Sequence, residues 1–487
     1  MNYRILFFSV LCVPMAINAC SSPCLSTGAQ SFFRGRPISQ NASLELALHN
    51  FYLYDVKGCE DECRNWLTVQ PTLFYFRSTN DHTLATYFMP GGKACAVVGQ
   101  NNASDISSPW LGLNGTTAAP FLGQFCISPR RQVIGGALKF HVDIGSLMDD
   151  SCSLFAYLWA SVFIPVAQVR HDLGLCQTIK NPGVAPGFTD IISALNNRAW
   201  NVGRLPAHVQ KKTGFDDIQI KLGSPIYIDA YKHIGLYLVA YAPVSKPATA
   251  HSLFEPTLGN GGHAGVGGGI TADYTAWEHD SSTFRLMFDW RYAYFFPRHE
   301  WRSFDLALNG DWSRYLLVAR PDDLNTPLPG INFFTQRVRV SPRSSVDAWQ
   351  AFHFTRDCFH LEIGYDLWWR QQEHIDDLCN PGVVIFNIVP AVAERTSSSL
   401  ARISQGARGF NAPSTDIDPE LVNSRDLNIS NAQLPTVLTS TLYLAVAYDI
   451  VYHDNVGMIG AGISYERDHK HVGMSQLGAW VKAGVAF

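Results

Sequence analysis

A two-residue alternation of apolar and polar side chains between Phe284 and Phe296 is the strongest constraint on how this chain folds. One set of alternate positions is wholly apolar or aromatic, whereas the other set includes Arg285, Asp289 and Arg291. A helix would distribute these charges around its circumference, but a strand places successive side chains on opposite faces. The segment is therefore predicted to be a β-strand with one apolar and one charged face.

The same alternation recurs along most of the chain. Two clear copies lie at 133–145 and 359–370, and weaker copies lie at 41–55, 66–77, 215–224, 232–243, 262–276, 331–355, 435–450, 455–467 and 472–487. Many of these segments exceed the five or six residues of an ordinary strand, and a tilted strand crosses a bilayer in about 9–11 residues. The pattern therefore favours strands that span a membrane.

One segment, 151–169, has no charged residue and is long enough to cross a membrane as a helix. It contains Pro165 and Gln168, and it is rich in the aromatic and β-branched residues that favour strands. We predict a strand here, which brings the count to thirteen. Since bacterial single-chain barrels have an even number of strands, either 31–37 adds a strand or one assignment is wrong.

The predicted connections alternate between short and long, which is typical of outer-membrane barrels with brief turns at one end and longer loops at the other. Short connections fall near 56–65, 147–151, 225–231, 277–280, 356–357 and 451–454. Long ones fall near 78–131, 170–214, 244–261, 297–330 and 373–434. The connection at 468–471 departs from this rule, because it is short where a long loop is expected. The predicted fold is all-β: a closed antiparallel transmembrane β-barrel of about 12–14 strands, with long loops on one side.

The composition agrees with such a fold. Charged residues make up 16% of the chain, against about a quarter in soluble domains. The formal net charge is only −4 and no cluster of Lys and Arg occurs, which argues against a nucleic-acid partner.

The first residues read as a signal peptide, 1–19, with Arg4 before an apolar run too short to span a bilayer. The remainder, 20–487, is then one barrel domain. Cleavage after Ala19 is one processing route, and lipidation of Cys20 in a lipobox-like context is the other. An uncleaved anchor helix is the third alternative.

Nine cysteines follow this leader, an odd number that leaves one thiol over if the others pair. Cys59 and Cys63 favour a local disulfide over a metal site, because no further ligands lie at zinc-site spacing. Four N-x-[ST] sequons leave open the alternative that the chain is a disulfide-bearing extracellular glycoprotein. They begin at Asn41, Asn102, Asn114 and Asn428.

The end of the chain carries a resemblance. Phe487 is preceded at alternate positions by Val485, Ala483, Val481, Ala479 and Leu477. This resembles the C-terminal strand of bacterial outer-membrane β-barrel proteins, either porin-like or fatty-acid-transporter-like, although the two alanines depart from the usual larger apolar residues. The resemblance implies an integral outer-membrane location, contact with membrane lipids, and Phe487 as a signal read by the barrel-assembly machinery.

If the apolar faces meet lipid, the charged faces line the lumen. The predicted pore-lining residues are Lys139, His141, Asp143, Arg285, Asp289, Arg291, Glu362, Asp366 and Arg370. The alternative is that these charges pair with one another and fill the barrel as a polar core. A constriction loop that folds into the pore is predicted from Arg302, Asp305, Asp311 and Arg314, with an ordinary surface loop as the alternative.

The predicted function is a channel or passive transporter for small solutes or apolar ligands. A barrel-embedded lipid hydrolase and a surface adhesin or antigen are the alternatives. No catalytic or metal-binding motif is present, so no cofactor is expected and an enzyme is less favoured. The run from Gly259 to Ala264 mimics a dinucleotide-binding loop, but no helix pattern follows it, and we interpret its glycines as a turn.

Overall fold

The protein is described here by a computed structural model. It covers residues 33–48, 66–89, 93–99, 104–116, 118–145, 157–229, 231–385, 387–388, 395–396, 420–452, 455–469 and 473–487. The predicted signal peptide, Cys20, Cys59, Cys63 and Asn102 lie outside these residues.

Twelve strands close into one barrel in which each strand pairs antiparallel with the next along the chain and the last pairs with the first. In chain order they are β1 Leu67–Ser78, β2 Arg130–Asp143, β3 Trp159–Asp172, β4 in two parts Gln210–Phe215 and Ile218–Ile228, β5 Lys232–Ala242, β6 Gly265–His279, β7 Ser282–Phe295, β8 Arg343–Arg356, β9 Phe359–Arg370, β10 Val437–Tyr452, β11 Asn455–Asp468 and β12 Gln476–Ala486. The predicted closed antiparallel barrel is confirmed, and the apolar segment at 151–169 contributes a strand rather than a helix.

Closure occurs at β1, where Leu73 lies opposite Val481 of β12 on one side and opposite Gly136 of β2 on the other. Backbone hydrogen bonds of 2.8 and 2.9 Å from Trp66 to Phe487 and from Phe487 to Leu67 continue this pairing to the end of the chain. A closed sheet leaves no edge with unpaired N–H and C=O groups, as a strand structure requires inside hydrocarbon.

The outside of the barrel is apolar. Leu73, Leu238 and Ile463 are 70%, 69% and 62% exposed, and comparable side chains project outward from every barrel strand. The alternate side chains of the same strands point inward and are buried. Exposed apolar surface on this scale does not face water in a stable protein. The molecule is therefore a transmembrane barrel of the outer-membrane type, with apolar outer and polar inner faces.

The long connections all leave the same end of the barrel and fold together into a cap with its own apolar core, which includes Phe88, Phe121, Phe125, Phe304 and Phe334. The cap helices are α2 Asp81–Phe88, α3 Ile191–Leu195 and α4 Ile331–Phe334, with 3-10 turns at Ser108–Leu111, Ser313–Tyr315, Ser424–Asp426 and Ile429–Asn431. The cap strands are Cys95–Gly99, Ile106–Ser107, Leu122–Cys126, Cys176–Asn181, Arg298–Ser303, Asp305–Leu306, Leu317–Arg320, Asp323–Pro329, Thr335–Ser341, His374–Asp376, Val384–Ile385, Asn387–Ile388, Arg395–Thr396, Glu420–Leu421 and Leu427–Asn428.

Two strand predictions are wrong. The described part of 41–55 is not a strand: a 3-10 turn, Ile38–Gln40, leads into helix α1, Ala42–Leu46, and both lie inside the barrel. Asn41 caps α1 by accepting a hydrogen bond from the Leu44 amide at 3.0 Å, a local bond that the alternation does not reveal.

The predicted strand 331–355 is instead three elements: α4, the cap strand Thr335–Ser341 and β8. The chain turns sharply between the last two, where Arg343 has a φ of +66°. Removal of the false strand at 41–55 leaves the even strand number that a bacterial barrel requires.

Candidate functional site: the lumen and the segment that fills it

Residues 33–48, here called the plug, run through the barrel lumen. Every one of them is buried except Gly35, which is half-buried. At the cap end, the ring of Phe33 packs against Tyr87 and Phe254 of the cap, with centroids 5.7 and 5.8 Å apart. At the other end, the Leu48 amide donates to the Glu362 carboxylate of β9 at 3.2 Å. The plug therefore passes from the cap into the barrel and touches its wall along the way.

The short helix α1 has partners at both ends, as a buried helix needs. At the first turn, Asn41 accepts from the Leu44 amide and Asp366 of β9 accepts from the Ser43 amide, and Lys482 of β12 contacts the other end. The Lys482 ammonium donates to the carbonyl of Leu44 at 2.9 Å and to that of Ala47 at 2.6 Å. A cation at a helix C-terminus also complements the helix dipole. This contact fixes α1 against the last strand of the barrel.

Glu45 is the central charge of the plug. Its fully buried carboxylate lies 2.5 Å from Lys221, 2.8 Å from Arg291 and 3.8 Å from Lys139. These cations come from β4, β7 and β2 on the barrel wall. Because burial of an unpaired carboxylate is very unfavourable, this arrangement specifies where Glu45 sits in the lumen.

Two arginines of the plug pair with carboxylates of the wall and the cap. The Arg36 guanidinium lies 3.1 Å from Asp347 and 2.8 Å from Asp366 on the wall. Nearer the cap, Arg34 lies 2.8 Å from Glu300 and 3.2 Å from Glu373. All three charged side chains of the plug are thus matched by wall or cap groups of opposite charge.

A pair of acids at the break between the two parts of β4 also holds the plug. Asp216 accepts hydrogen bonds from the amides of Ile38 and Ser39, both at 3.2 Å. The same carboxylate accepts from the Gly259 amide at 2.9 Å, and its neighbour Asp217 accepts from the Asn260 amide at 2.7 Å. These bonds join the plug, the wall and the glycine-rich turn of the cap.

That glycine-rich turn is buried at the barrel mouth, and a strand rather than a helix follows it. Gly259, Gly261 and Gly262 have φ values of +56°, +70° and +86°, which side chains other than glycine rarely adopt. A Cβ atom on Gly261 would overlap the Arg34 guanidinium. The glycines therefore permit close approach of the turn to the plug, as their interpretation as a turn predicts.

Interior aromatic rings fill much of the remaining lumen by lying over glycines of neighbouring strands. Trp159 covers Gly223, and Tyr443 covers Gly364. Tyr443 also receives a hydrogen bond from Trp349 at 3.0 Å. The rings and the plug therefore share the interior of the barrel.

The nine predicted pore-lining residues all lie on inward-facing positions of the barrel strands. Five contact the plug directly: Lys139, Arg291, Glu362, Asp366 and Arg370. Asp289 accepts a hydrogen bond from Tyr237 at 2.7 Å, and His141 packs against Trp159. Asp143 and Arg285 are half-buried near the turn end. The structure thus places five of the nine residues against the plug, and the other four lie elsewhere on the inner face.

The four predicted constriction residues divide between two places. Arg302 lies at the barrel mouth, where it contacts Glu300 and lies 3.1 Å from Glu373. Asp305 and Arg314 form a buried ion pair within the cap at 2.6 Å. Asp311 accepts from Asn431 at 3.1 Å in the same region. Only Arg302 thus belongs to the charge network that reaches the plug.

The plug itself was missed by sequence reasoning, as were Lys221, Lys482 and the Asp216–Asp217 pair. The odd strand count was the one signal available, because it indicated that a predicted strand was false. Asn41, the first predicted sequon, is 4% exposed inside the barrel. A glycan has no room at this position.

Other kinds of site are not apparent in the part of the chain that the structure describes. No group of three or more His, Cys, Asp or Glu side chains there is placed to hold a metal ion. Within the same ranges, no helix has the length and apolar character to cross a membrane.

Comparisons with known proteins give only distant similarities. No protein-family model and no curated protein matches the sequence. An outer membrane channel from Pseudomonas putida F1 is 11% identical, with a TM-score of 0.37 and coverage of 88% of this chain and 98% of that one. A Pseudomonas aeruginosa FadL homologue is 7% identical, with a TM-score of 0.28 and coverages of 87% and 90%. The Pseudomonas putida toluene transporter TodX is 9% identical, with a TM-score of 0.26 and coverages of 95% and 95%.

Proposed function

We propose that this chain is an outer-membrane channel for small solutes or apolar ligands, held closed by residues 33–48 and opened when that segment shifts in the lumen. The observation that carries the proposal is the placement of Glu45 among Lys221, Arg291 and Lys139 in the middle of a polar lumen. A barrel with this interior conducts only when its plug moves.

The chemistry of the interface supports a movable plug. Buried ion pairs add little net stability compared with apolar packing, because the desolvation of both charges opposes their attraction. A segment that only had to fill the barrel would be better held by apolar contacts. The plug does pack apolar side chains such as Leu44 and Leu46 against the wall. It is also held by the ion pairs of Arg34, Arg36 and Glu45, and water can take the place of those partners when the segment moves.

Single-channel recording in planar bilayers tests the proposal. Wild-type protein is expected to be closed most of the time, with brief conductance steps. A variant that lacks residues 33–48 should show long-lived openings of larger conductance. Heat-modifiable migration of both proteins on gels would verify that the barrel is folded. A folded deletion variant that stays silent would contradict the proposal.

The two ends of the chain also have proposed roles, in export and in assembly. We infer that 1–19 is removed on export and that Phe487 is read by the barrel-assembly machinery. Phe487 is 48% exposed at the end of the closing strand, and its side chain is thus accessible to a partner. Truncation of Phe487 should lower the amount of assembled barrel in the outer membrane without a change in conductance per channel.

A further inference from the structure

Four outward-facing residues form one row at the cap end of the barrel wall. The strand register places Arg77 of β1 opposite Gln132 of β2. Gln132 lies opposite Arg170 of β3, and Arg170 lies opposite Lys211 in the first part of β4. All three cations of the row are exposed on the outer face. Since neighbouring strands lie about 4.8 Å apart, the row covers about 14 Å of the barrel circumference.

This row carries positive charge that the described part of the protein leaves unmatched. Arg170 and Lys211 are directly opposed, and like charges in that arrangement repel and destabilise a strand pair. The Arg170 guanidinium donates a hydrogen bond to the amide oxygen of Gln168 at 2.8 Å, which leaves its charge in place. Arg130, closer to the cap, forms an ion pair with Asp81, whereas the three cations of the row form none within the described residues. The row therefore favours an anionic partner from outside the chain.

The acids of this part of the rim are grouped around Arg130. Its guanidinium lies 2.8 Å from Asp81, and its backbone is directly opposite Asp172 in the register. The Asp172 carboxylate also accepts a hydrogen bond from the Gly174 amide at 2.9 Å. Two carboxylates face one guanidinium here, and an excess of positive charge remains when the row of three cations is added.

The basic part of the rim covers one sector of the barrel. It extends from Arg467, an exposed residue near the cap end of β11, to Lys211 on β4. In the opposite sector, the outward residues nearest the cap on four consecutive strands are uncharged: Val266 on β6, Tyr294 on β7, Ser344 on β8 and Trp369 on β9. A general need for polar side chains at the membrane surface would apply to the whole circumference. The concentration of cations on one side therefore points to a ligand bound in that sector.

An apolar groove of about 640 Å³ lies on the outer face beneath the row, toward the middle of the membrane. Its lining combines the small side chains of Ala461 and Ala479 with larger ones such as Leu73 and Tyr75. Tyr75 precedes Arg77 by two residues on the same face of β1, a distance of about 7 Å along the strand. The groove therefore begins directly next to the row of cations. Ala479 is also one of the two alanines that depart from the usual pattern of a C-terminal barrel strand.

We propose that this sector binds one anionic lipid, with its phosphate-bearing headgroup at Arg77, Arg170 and Lys211 and an acyl chain in the groove. Guanidinium groups bind phosphate oxygens through paired, charge-assisted hydrogen bonds, and basic clusters at a membrane surface attract anionic lipids. The charged and apolar parts of the site follow each other along the membrane normal in the same order as in a lipid. A soluble anion would match the row alone. A second copy related by two-fold symmetry would bring the same positive charges together.

Native mass spectrometry of the full-length protein in detergent tests the headgroup part. Phosphatidylglycerol is the anionic probe, and phosphatidylcholine with the same acyl chains is the zwitterionic control. Wild type should bind the anionic lipid more tightly. Arg170→Gln should weaken that binding about fivefold, because a single surface cation contributes about this factor, and a further Arg77→Gln substitution should weaken it again.

A double variant with Lys232→Gln and Arg356→Gln is the matched control. Both residues are exposed cations at the turn end of the barrel, far from the row. This variant should keep the wild-type affinity for phosphatidylglycerol. Equal affinities of wild type for the two lipids, or equal losses in the control and in the row variants, would overturn the proposal. Heat-modifiable migration of each variant on gels verifies that the barrel is folded.

The groove is tested separately by Ala479→Leu, which fills it. Ala483→Leu is the control, because Ala483 faces outward on the same strand but does not line the groove. Only the first variant should weaken binding of long-chain phosphatidylglycerol. Displacement of the lipid by inorganic phosphate at equal concentration, or protein dimers in place of lipid adducts, would show that the site takes another partner. None of these measurements depends on conductance, so this proposal and the channel proposal can fail independently.

Discussion

The carboxylate of Glu45 lies 2.5 Å from the ammonium nitrogen of Lys221, and both side chains are shielded from solvent. The two residues are far apart in sequence, one on a five-residue helix in the lumen and the other on β4. Their contact places a negative charge of the plug at the centre of a positively charged part of the wall.

Glu45→Gln should destabilise the folded barrel. The variant keeps the size of the side chain but leaves Lys221, Arg291 and Lys139 without their shared carboxylate. Breaking a buried pair in this way costs about 3 kcal/mol or more. The urea midpoint in detergent measures the loss, and the open fraction in bilayers should rise in parallel. Glu278→Gln, at an exposed position near the turn end, serves as control. Equal midpoints for the two variants would contradict this expectation.

Gly364→Ala should also destabilise the barrel, because its Cβ would overlap the ring of Tyr443. Displacement of that ring would strain its hydrogen bonds to Glu362 at 2.6 Å and from Trp349 at 3.0 Å. Overpacking of this kind costs about 1–3 kcal/mol. Gly457→Ala is the control, since its Cβ would have no neighbour closer than 3.4 Å. Unfolding midpoints of the two variants should differ clearly, and similar values would show that the interior tolerates the extra methyl group.

The cap contains three cysteines in one row across adjacent strands. Cys95 and Cys126 form a disulfide, and Cys176 lies directly opposite Cys126 on the other side. Directly opposed residues of an antiparallel pair have neighbouring side chains. Cys95→Ser should therefore yield a Cys126–Cys176 disulfide, detectable by peptide mapping under non-reducing conditions. Cys176→Ser should retain the original bond. A free Cys126 thiol in the first variant would refute the prediction.

The start of α3 in the cap should weaken in acid. Burial raises the pKa of Asp190, but hydrogen bonds from the Ser193 amide at 2.8 Å and hydroxyl at 2.7 Å outweigh burial, and the net pKa is lowered. A lowered pKa in the folded state means stabilisation that is complete above the unfolded pKa, about 3.9, and lost as the pH falls through the folded value. The protection of the 191–195 amides against exchange, expressed relative to the intrinsic rate at each pH, should be steady from neutral pH to about pH 5 and should fall in stronger acid. Asp190→Asn should remove the pH dependence while it keeps the cap.

The residues that sequence analysis proposed for the lumen lie on the inner face of the barrel strands, but their partners were not predictable. Asp366 contacts Arg36 although over three hundred residues separate them in the sequence. Arg291 contacts Glu45 across a separation of over two hundred. Ion pairs of this kind depend on which strand lies across the barrel. A two-residue period shows which side chains share a face of a strand, but it carries no information about which strand lies opposite.

The plug shows more clearly what periodicity alone cannot predict. Residues 41–46 alternate between polar and apolar side chains as a strand does, yet they form α1. A lumen that offers Lys482 to the helix end and three cations to Glu45 favours the helix over the strand. These groups become neighbours only after the barrel has closed.

The sequence by itself determined the barrel, because the requirement that every backbone group be paired inside hydrocarbon allows few solutions for long alternating strands. Only the tertiary structure decided that the lumen is occupied and by which segment. Occupancy of the lumen depends on charges such as Glu45 and Lys221 that meet across the barrel. Local periodicity carries no information about such contacts between distant parts of the chain.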